Sequence, residues 1–173
     1  KDELRKLTLE MYEVLKANRA AGLPAPTTQW MSAREYHECW RASNLQHYLR
    51  NSITPISDVA GRAAAPLLQQ LLDDTDAAIA DFSAGRPHNR LNAYFGHAET
   101  LLPLLSLIHL PNCNRLKLGY DGIGDCWKIQ ELTPLAANLL VLITQSPTGR
   151  HYAVIQLNGR TINPVPGEPD IVA

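Results

Sequence analysis

An imidazole and a carboxylate stand two residues apart at His97 and Glu99, between two apolar segments of the chain. Residues 91–95 before them are predicted to form a short strand. Residues 101–108 after them are predicted to form a buried helix, with Pro103 in its first turn. A strand that enters a helix through a glycine-containing turn places the intervening side chains beside a helix N-terminus, whose free N–H groups attract anions. The spacing therefore predicts that His97 and Glu99 face one ligand together.

Two other interpretations of this motif remain open. In the first, His97 and Glu99 only stabilise the start of the following helix, because acidic residues are favoured in a first turn. In the second, the His-x-Glu pair belongs to a zinc deaminase, whose signature continues with Pro-Cys-x-x-Cys. Cys113 is followed by no other cysteine until Cys126. The thiolate pair of a deaminase zinc site is therefore missing, which disfavours the second interpretation.

Composition limits the classes of partner. The 173 residues include 16 basic and 17 acidic side chains, a net charge of -1 that points neither to nucleic acid nor to a membrane surface. The apolar stretch 101–110 is interrupted and falls well short of the roughly 20 residues that span a bilayer. The three cysteines allow at most one bridge, so a pairing of Cys113 with Cys126 stays open and the redox compartment is not fixed.

The pattern of elements changes near residue 85. Residues 1–85 are predicted to be mostly helical, and Ser32 and Glu35 have the spacing of a capping box at a helix start. Residues 86–173 combine strand signals with one helix. Asn158-Gly159 is a strong two-residue turn signal between the predicted strands 151–157 and 160–162. Residues 121–125 lack the acidic spacing of a calcium-binding loop and are predicted to be turns.

A family resemblance is carried by His97-Ala98-Glu99-Thr100 and the apolar residues 101–105 after it. This segment resembles the proton-donor motif of the branch-2 histidine phosphatases. Its His-Ala-Glu-Thr form is similar to that of the multiple inositol polyphosphate phosphatases, a clade of phytases. Further segments stand in the order seen in the C-terminal part of such enzymes, namely residues 40–48, 66–79, 135–138 and 154–158.

The resemblance implies an α/β fold with a phosphoglycerate-mutase-like three-layer core. Residues 1–85 would then be the end of a helical cap domain with a core helix, and residues 86–173 the C-terminal part of the core. It also implies hydrolysis of a phosphomonoester, an inositol phosphate such as phytate, through a phosphohistidine intermediate and without a metal or other cofactor. Glu99 would protonate the departing alkoxide, which is a poor leaving group at neutral pH.

The same resemblance assigns phosphate binding to His97 and Ala98. A cationic His97 and the dipole of the following helix would both act on the phosphate oxygens. Arg34 and Arg41 lie on the predicted cap helix, where basic residues can contact outer phosphates of an inositol ring. A solvent-exposed helix face without ligand is the simpler interpretation of these two arginines.

The nucleophile motif of that family, Arg-His-Gly-x-Arg, is missing from this sequence. The one Arg-His pair, at Arg150, is followed by Tyr152 and begins a predicted strand, so we interpret it as structural. We therefore expect the chain to be inactive alone and to have the remaining N-terminal part of the same enzyme as its partner. The absence of an initiating methionine suggests a mature or truncated product, and the resemblance implies a periplasmic or secreted location. The alternative is a phosphatase-like module that binds anions without catalysis.

Overall fold

A computed structural model describes residues 2–23, 30–110 and 120–162. By internal contacts the chain divides into two compact units, Lys1–His47 and Tyr48–Ala173. None of the helices in these described ranges is both long and apolar enough to cross a membrane.

The first unit contains helix α1, Asp2–Ala20, and most of helix α2, Ala33–Asn51. Helix α1 ends at Ala20, and Gly22, with a φ of 69°, closes the turn that follows it. The N–H of Leu23 then donates to the carbonyl of Asn18, and the N–H of Gly22 to that of Arg19. The apolar faces of the unit enclose a small core whose members are Tyr12, Leu15 and Met31, with Met11, Tyr36, Cys39 and Trp40 packed against them.

The start of α2 is fixed by the capping box that the sequence predicts. The N–H of Glu35 donates to the hydroxyl of Ser32 over 3.3 Å. In return the N–H and the hydroxyl of Ser32 donate to the carboxylate of Glu35 at 2.8 and 2.6 Å. These donors lower the pKa of Glu35, the side-chain hydroxyl most of all. The prediction of a helix start at this motif is confirmed.

In the second unit, helix α3 is Val59–Ser83 and helix α4 is Ala98–Leu107, and the two pack together. The buried hydroxyl of Ser106 accepts the N–H of Ile53 at 2.7 Å, which ties α4 to the chain before α3. Gly61 lies against the same residue: a Cβ there would stand 2.5 Å from Cδ1 of Ile53. A side chain at position 61 would therefore force Ile53 to move.

Two short helices follow, α5 at Tyr120–Cys126 and α6 at Ile129–Leu132. The prediction of turns at residues 121–125 is therefore wrong, because these residues form most of α5. Trp127, between the two helices, is fully buried, and its ring meets the ring of Tyr48 edge-on at 5.6 Å. This aromatic pair anchors the helices within the second unit.

Strands β1 (Leu139–Gln145), β2 (His151–Leu157) and β3 (Arg160–Ile162) form an antiparallel sheet in that order. Leu157 pairs with Arg160 across the two-residue turn, where both Asn158 and Gly159 have positive φ, 51° and 77°. Such angles suit a type I′ turn, whose twist matches that of the flanking strands. The predicted hairpin is confirmed.

The prediction of a strand at residues 91–95 is wrong. These residues are irregular, and Leu91 and Phe95 are 76% and 96% exposed. A strand exists only where neighbouring backbone satisfies its N–H and C=O groups, and the described residues offer this segment no such neighbour. The helix after it begins at Ala98, three residues before the predicted start. Pro103 consequently lies inside α4 rather than in its first turn.

The described residues thus combine helices with one small sheet, which is consistent with the α/β class. The three-layer core and the division at residue 85 stay predictions. Cys39 is a free thiol, and Cys126 is disulfide-bonded. Cys113, the other cysteine of the pairing that the sequence leaves open, lies outside the described residues.

Candidate functional site

His97 is the N-cap residue of α4. Its extended backbone, φ −112° and ψ 172°, lets its carbonyl accept the N–H groups of Thr100 at 2.9 Å and Leu101 at 3.2 Å. The imidazole itself makes no capping hydrogen bond and is exposed. The interpretation in which the His97 side chain merely caps the helix is therefore not supported by its contacts.

Ala98 and Glu99 form the first turn of α4, directly after the N-cap. Ala98 is half-buried, whereas the carboxyl group of Glu99 reaches solvent. The first N–H groups of a helix have no acceptor within that helix, and together they form the positive end of the helix dipole. The structure thus brings His97, Ala98 and Glu99 together at one solvent-exposed, electropositive helix end.

Gly96 allows the chain to pass close to this first turn. A Cβ on Gly96 would lie 3.3 Å from Oγ1 and 3.4 Å from Cβ of Thr100, tighter than an ordinary van der Waals contact. The absence of a side chain at position 96 therefore sets how closely the backbone before His97 approaches α4.

The residues that lead to the site, 86–96, are called here the approach segment, and they are tied to α3 by side chains. Nε of Arg86 donates to Oδ1 of Asp81 at 2.8 Å. The ring of His88 meets the ring of Phe82 edge-on at 5.4 Å. Eight residues after Arg86, the hydroxyl of Tyr94 donates to the carboxylate of Asp74. The approach segment therefore runs back along α3 although it forms no regular structure.

Sequence reasoning missed the pair formed by Tyr94 and Asp74. The residues are 20 apart in the chain, and neither type at that separation signals a contact. The carboxylate that accepts its hydrogen bond raises the pKa of Tyr94, with smaller effects of burial and of the Asp74 charge. Tyr94 accordingly keeps its proton, and so its role as a donor, throughout the neutral pH range.

The two arginines predicted to contact substrate lie on α2 in the first compact unit. Arg34 is exposed, and Arg41 is half-buried and forms an ion pair with Glu38 at 3.6 Å. Arg34 and Arg41 are seven residues apart, which places them on the same side of the helix two turns from one another. Their contact with a ligand at His97 stays a prediction.

The Arg-His pair at Arg150 and a metal site were the other possibilities that the sequence raised. His151 is the first residue of β2 and pairs with Gln145 of β1, as expected for an Arg-His pair that begins a strand. Across the described ranges, no group of three His, Cys, Asp or Glu side chains lies close enough to hold a metal ion.

Comparison with known sequences indicates the family of the chain that carries His97 and Glu99. No curated protein matches the chain. The family model described as "Histidine phosphatase superfamily (branch 2)" matches residues 8–156, which is most of the chain and extends from within α1 to the greater part of β2. Because the matched range covers well over half of the chain and contains His97 and Glu99, the chain belongs to branch 2 of the histidine phosphatase superfamily.

Proposed function

We propose that this chain supplies the phosphate-binding and proton-donating half of a phosphomonoesterase active site. The observation that carries the proposal is the joint exposure of His97 and Glu99 at the N-terminus of α4. An imidazolium at His97 and a helix N-terminus attract the same dianionic phosphate, and the carboxyl group of Glu99, two residues further along, is within reach of the leaving group. Family membership supports phosphatase activity in general.

The proposed reaction has two steps. A histidine of the Arg-His-Gly-x-Arg motif, absent from this sequence, attacks phosphorus through a ring nitrogen while the bond from phosphorus to the ester oxygen breaks. Protonated Glu99 gives its proton to that oxygen, so the leaving group departs as an alcohol. Water then attacks the phosphohistidine and passes a proton to the Glu99 carboxylate, which releases phosphate and restores both groups. His97 holds the equatorial oxygens throughout.

The proposed substrate is an inositol polyphosphate such as phytate. The support is the His-Ala-Glu-Thr form of the motif and the two cationic side chains of α2, Arg34 and Arg41. A ring that carries several phosphates needs positive charge beyond the reacting group, and guanidinium groups suit this because they bind phosphate in a bidentate manner.

The proposed partner is the remaining N-terminal part of the same enzyme. Two exposed apolar surfaces support the proposal that a partner covers this chain. They are formed by Leu91 and Phe95 of the approach segment and by the middle of β1. Four consecutive β1 side chains are exposed on both faces of the sheet, namely Leu140, Val141, Leu142 and Ile143. A strand that is apolar on both faces is typical of the interior of a sheet covered on both sides.

The proposed location is periplasmic or secreted. The disulfide-bonded Cys126 supports this location, because disulfides persist in oxidising compartments.

Phosphate release from p-nitrophenyl phosphate and from phytate tests the proposal. We expect this chain alone to be inactive, and a polypeptide that joins it to an Arg-His-Gly-x-Arg segment to be active. His97→Ala in the joined polypeptide is expected to abolish most of that activity, whereas Arg160→Ala in the hairpin, a matched loss of one basic residue, is expected to leave it unchanged. Activity that survives His97→Ala would contradict the proposal. A joined polypeptide that binds phosphate through His97 but hydrolyses nothing would favour the non-catalytic anion-binding module.

A further inference from the structure

We propose that Tyr94 and Asp74 are positioning residues, which hold the approach segment on α3 so that the His97 imidazole meets the phosphate in one fixed orientation. The inference rests on the proposed function, because it assigns these two residues a role only if His97 binds phosphate. Neither residue touches the phosphate itself in this scheme.

The first support is the way Asp74 is held. Its Oδ1 accepts the side-chain amide of Gln70, one turn earlier on α3, at 2.9 Å, and its Oδ2 accepts the hydroxyl of Tyr94. Each carboxylate oxygen therefore has its own donor. A carboxylate that is already oriented from one side loses less conformational freedom when it binds a second donor on the other.

The second support is that, among the described residues, the last part of the approach segment has few other restraints: Asn92 accepts the side-chain amide of Asn89 at 3.1 Å, but both residues belong to the approach segment itself. Within the described part of the chain, residues 91–96 make no main-chain hydrogen bond. The tethers at Arg86 and His88 lie far back along the approach segment. Tyr94 is thus the last residue of the approach segment that a side chain of α3 anchors, and only Phe95 and Gly96 separate it from His97.

The third support comes from Gly96 itself. A Cβ added at position 96 would lie only 3.3 Å from Oγ1 of Thr100, so the backbone passes the first turn of α4 closely. Glycine also has the widest choice of backbone angles, so its conformation is restricted only when the chain is held on both sides of it. After Gly96, the His97 carbonyl accepts N–H groups of α4, and before Gly96, the bond from Tyr94 to Asp74 holds the chain.

Inorganic phosphate is the probe for the test, added to the full 173-residue chain while the His97 ring signals are followed by NMR. Tyr94→Phe removes the hydroxyl donor and Asp74→Ala removes the acceptor. We expect each to weaken phosphate binding by roughly 3- to 10-fold, the size of effect that follows from losing one ordinary hydrogen bond. Asp74→Asn keeps an oxygen acceptor and is expected to retain most of the affinity.

Asp73→Ala is the matched control, because Asp73 is the neighbouring residue of α3 and its carboxylate accepts the side-chain amide of Gln69 at 2.8 Å, the same kind of bond that Asp74 accepts from Gln70. The affinity of the Asp73→Ala variant for phosphate is expected to equal that of the unaltered chain. Amide relaxation provides a second readout: residues 91–97 become more mobile in Tyr94→Phe, while α3 and α4 stay as rigid as before.

The outcomes separate this inference from the proposed function. If the unaltered chain does not bind phosphate, or if His97→Ala binds it equally well, the proposed function is wrong and the positioning role is wrong with it. If His97→Ala loses binding but Tyr94→Phe and Asp74→Ala do not, only the positioning role is overturned. Equal losses in Asp74→Ala and Asp73→Ala would also overturn it, because they would show a general effect of altering α3.

Discussion

Asn158 and Asn138 are joined by two hydrogen bonds, which fasten the turn of the hairpin to the start of β1. The N–H of Asn158 donates to the carbonyl of Asn138 at 2.9 Å, and the N–H of Asn138 donates to Oδ1 of Asn158 at 3.0 Å. The side-chain amide of Asn158 also donates to the carbonyls of Glu131 and Leu132 at 2.9 and 3.2 Å. One side chain therefore connects the sheet to the end of α6.

Asn158→Ala tests this connection, because alanine loses the side-chain hydrogen bonds and also disfavours the φ of 51° at this position. We expect the free energy of unfolding to fall by about 2–3 kcal/mol, measured by urea unfolding with tryptophan fluorescence. Asn158→Gly loses the same bonds but accepts the positive φ, so we expect a loss smaller by about 1 kcal/mol. Equal losses in the two variants would show that backbone strain plays no part.

Ser106→Ala tests the tie between α4 and Ile53. The Ser106 hydroxyl is fully buried and accepts the Ile53 N–H at 2.7 Å. Alanine at position 106 leaves this part-buried N–H without its acceptor. We expect a loss of about 1–2 kcal/mol in the free energy of unfolding. Ser52→Ala is the control: the Ser52 hydroxyl donates to the Tyr48 carbonyl, which also accepts the Ser52 N–H. A control variant as unstable as Ser106→Ala would contradict the argument.

Ser32→Ala tests the capping box through its dependence on pH. The Ser32 donors lower the pKa of Glu35, so their contribution to stability is present above the unfolded-state pKa, about 4.3, and is lost as pH falls through the lower folded-state value. Circular dichroism is therefore expected to show a larger loss of helix in Ser32→Ala near pH 7 than at acidic pH. In a Glu35→Gln background this difference between the two pH values is expected to disappear.

The sequence predicts best those features that are decided by neighbouring residues. Asn158-Gly159 specifies its turn, and Ser32 with Glu35 specifies a helix start, because the chemistry is complete within two to four residues. The strand at residues 91–95 failed because a strand depends on distant backbone that pairs with it. The motif at His97 was predicted to lie before a helix, and that helix begins three residues earlier than predicted, at Ala98. The contact between Tyr94 and Asp74 depends on tertiary structure and has no local signal.

Chelation tests the type of phosphatase chemistry. Cationic side chains and a helix N-terminus hold phosphate in the proposed reaction, so we expect the joined polypeptide to keep its activity after treatment with EDTA. The measurement is the rate of phosphate release before and after dialysis against the chelator. Loss of activity that zinc restores would favour a metallohydrolase instead.

Glu99→Gln and His97→Ala separate the two roles proposed for the motif. Glutamine keeps the shape of Glu99 but has no proton to give, so the phosphorylation step with an alkyl phosphate is expected to slow by roughly 10²–10⁴-fold. An aryl phosphate such as p-nitrophenyl phosphate leaves as a stabilised phenolate and is expected to slow much less. His97→Ala removes a phosphate contact that both substrates use, so it is expected to slow both alike.

Single-turnover rates of the joined polypeptide are the measurement, because the later hydrolysis of the phosphohistidine also uses Glu99 and would obscure the first step. The ratio of alkyl to aryl rates is the decisive quantity, since a general loss of folding or of phosphate binding lowers both rates and leaves the ratio unchanged. A ratio that falls in Glu99→Gln and stays constant in His97→Ala assigns the proton to Glu99. If Glu99→Gln slows both substrates equally, the proton comes from another group.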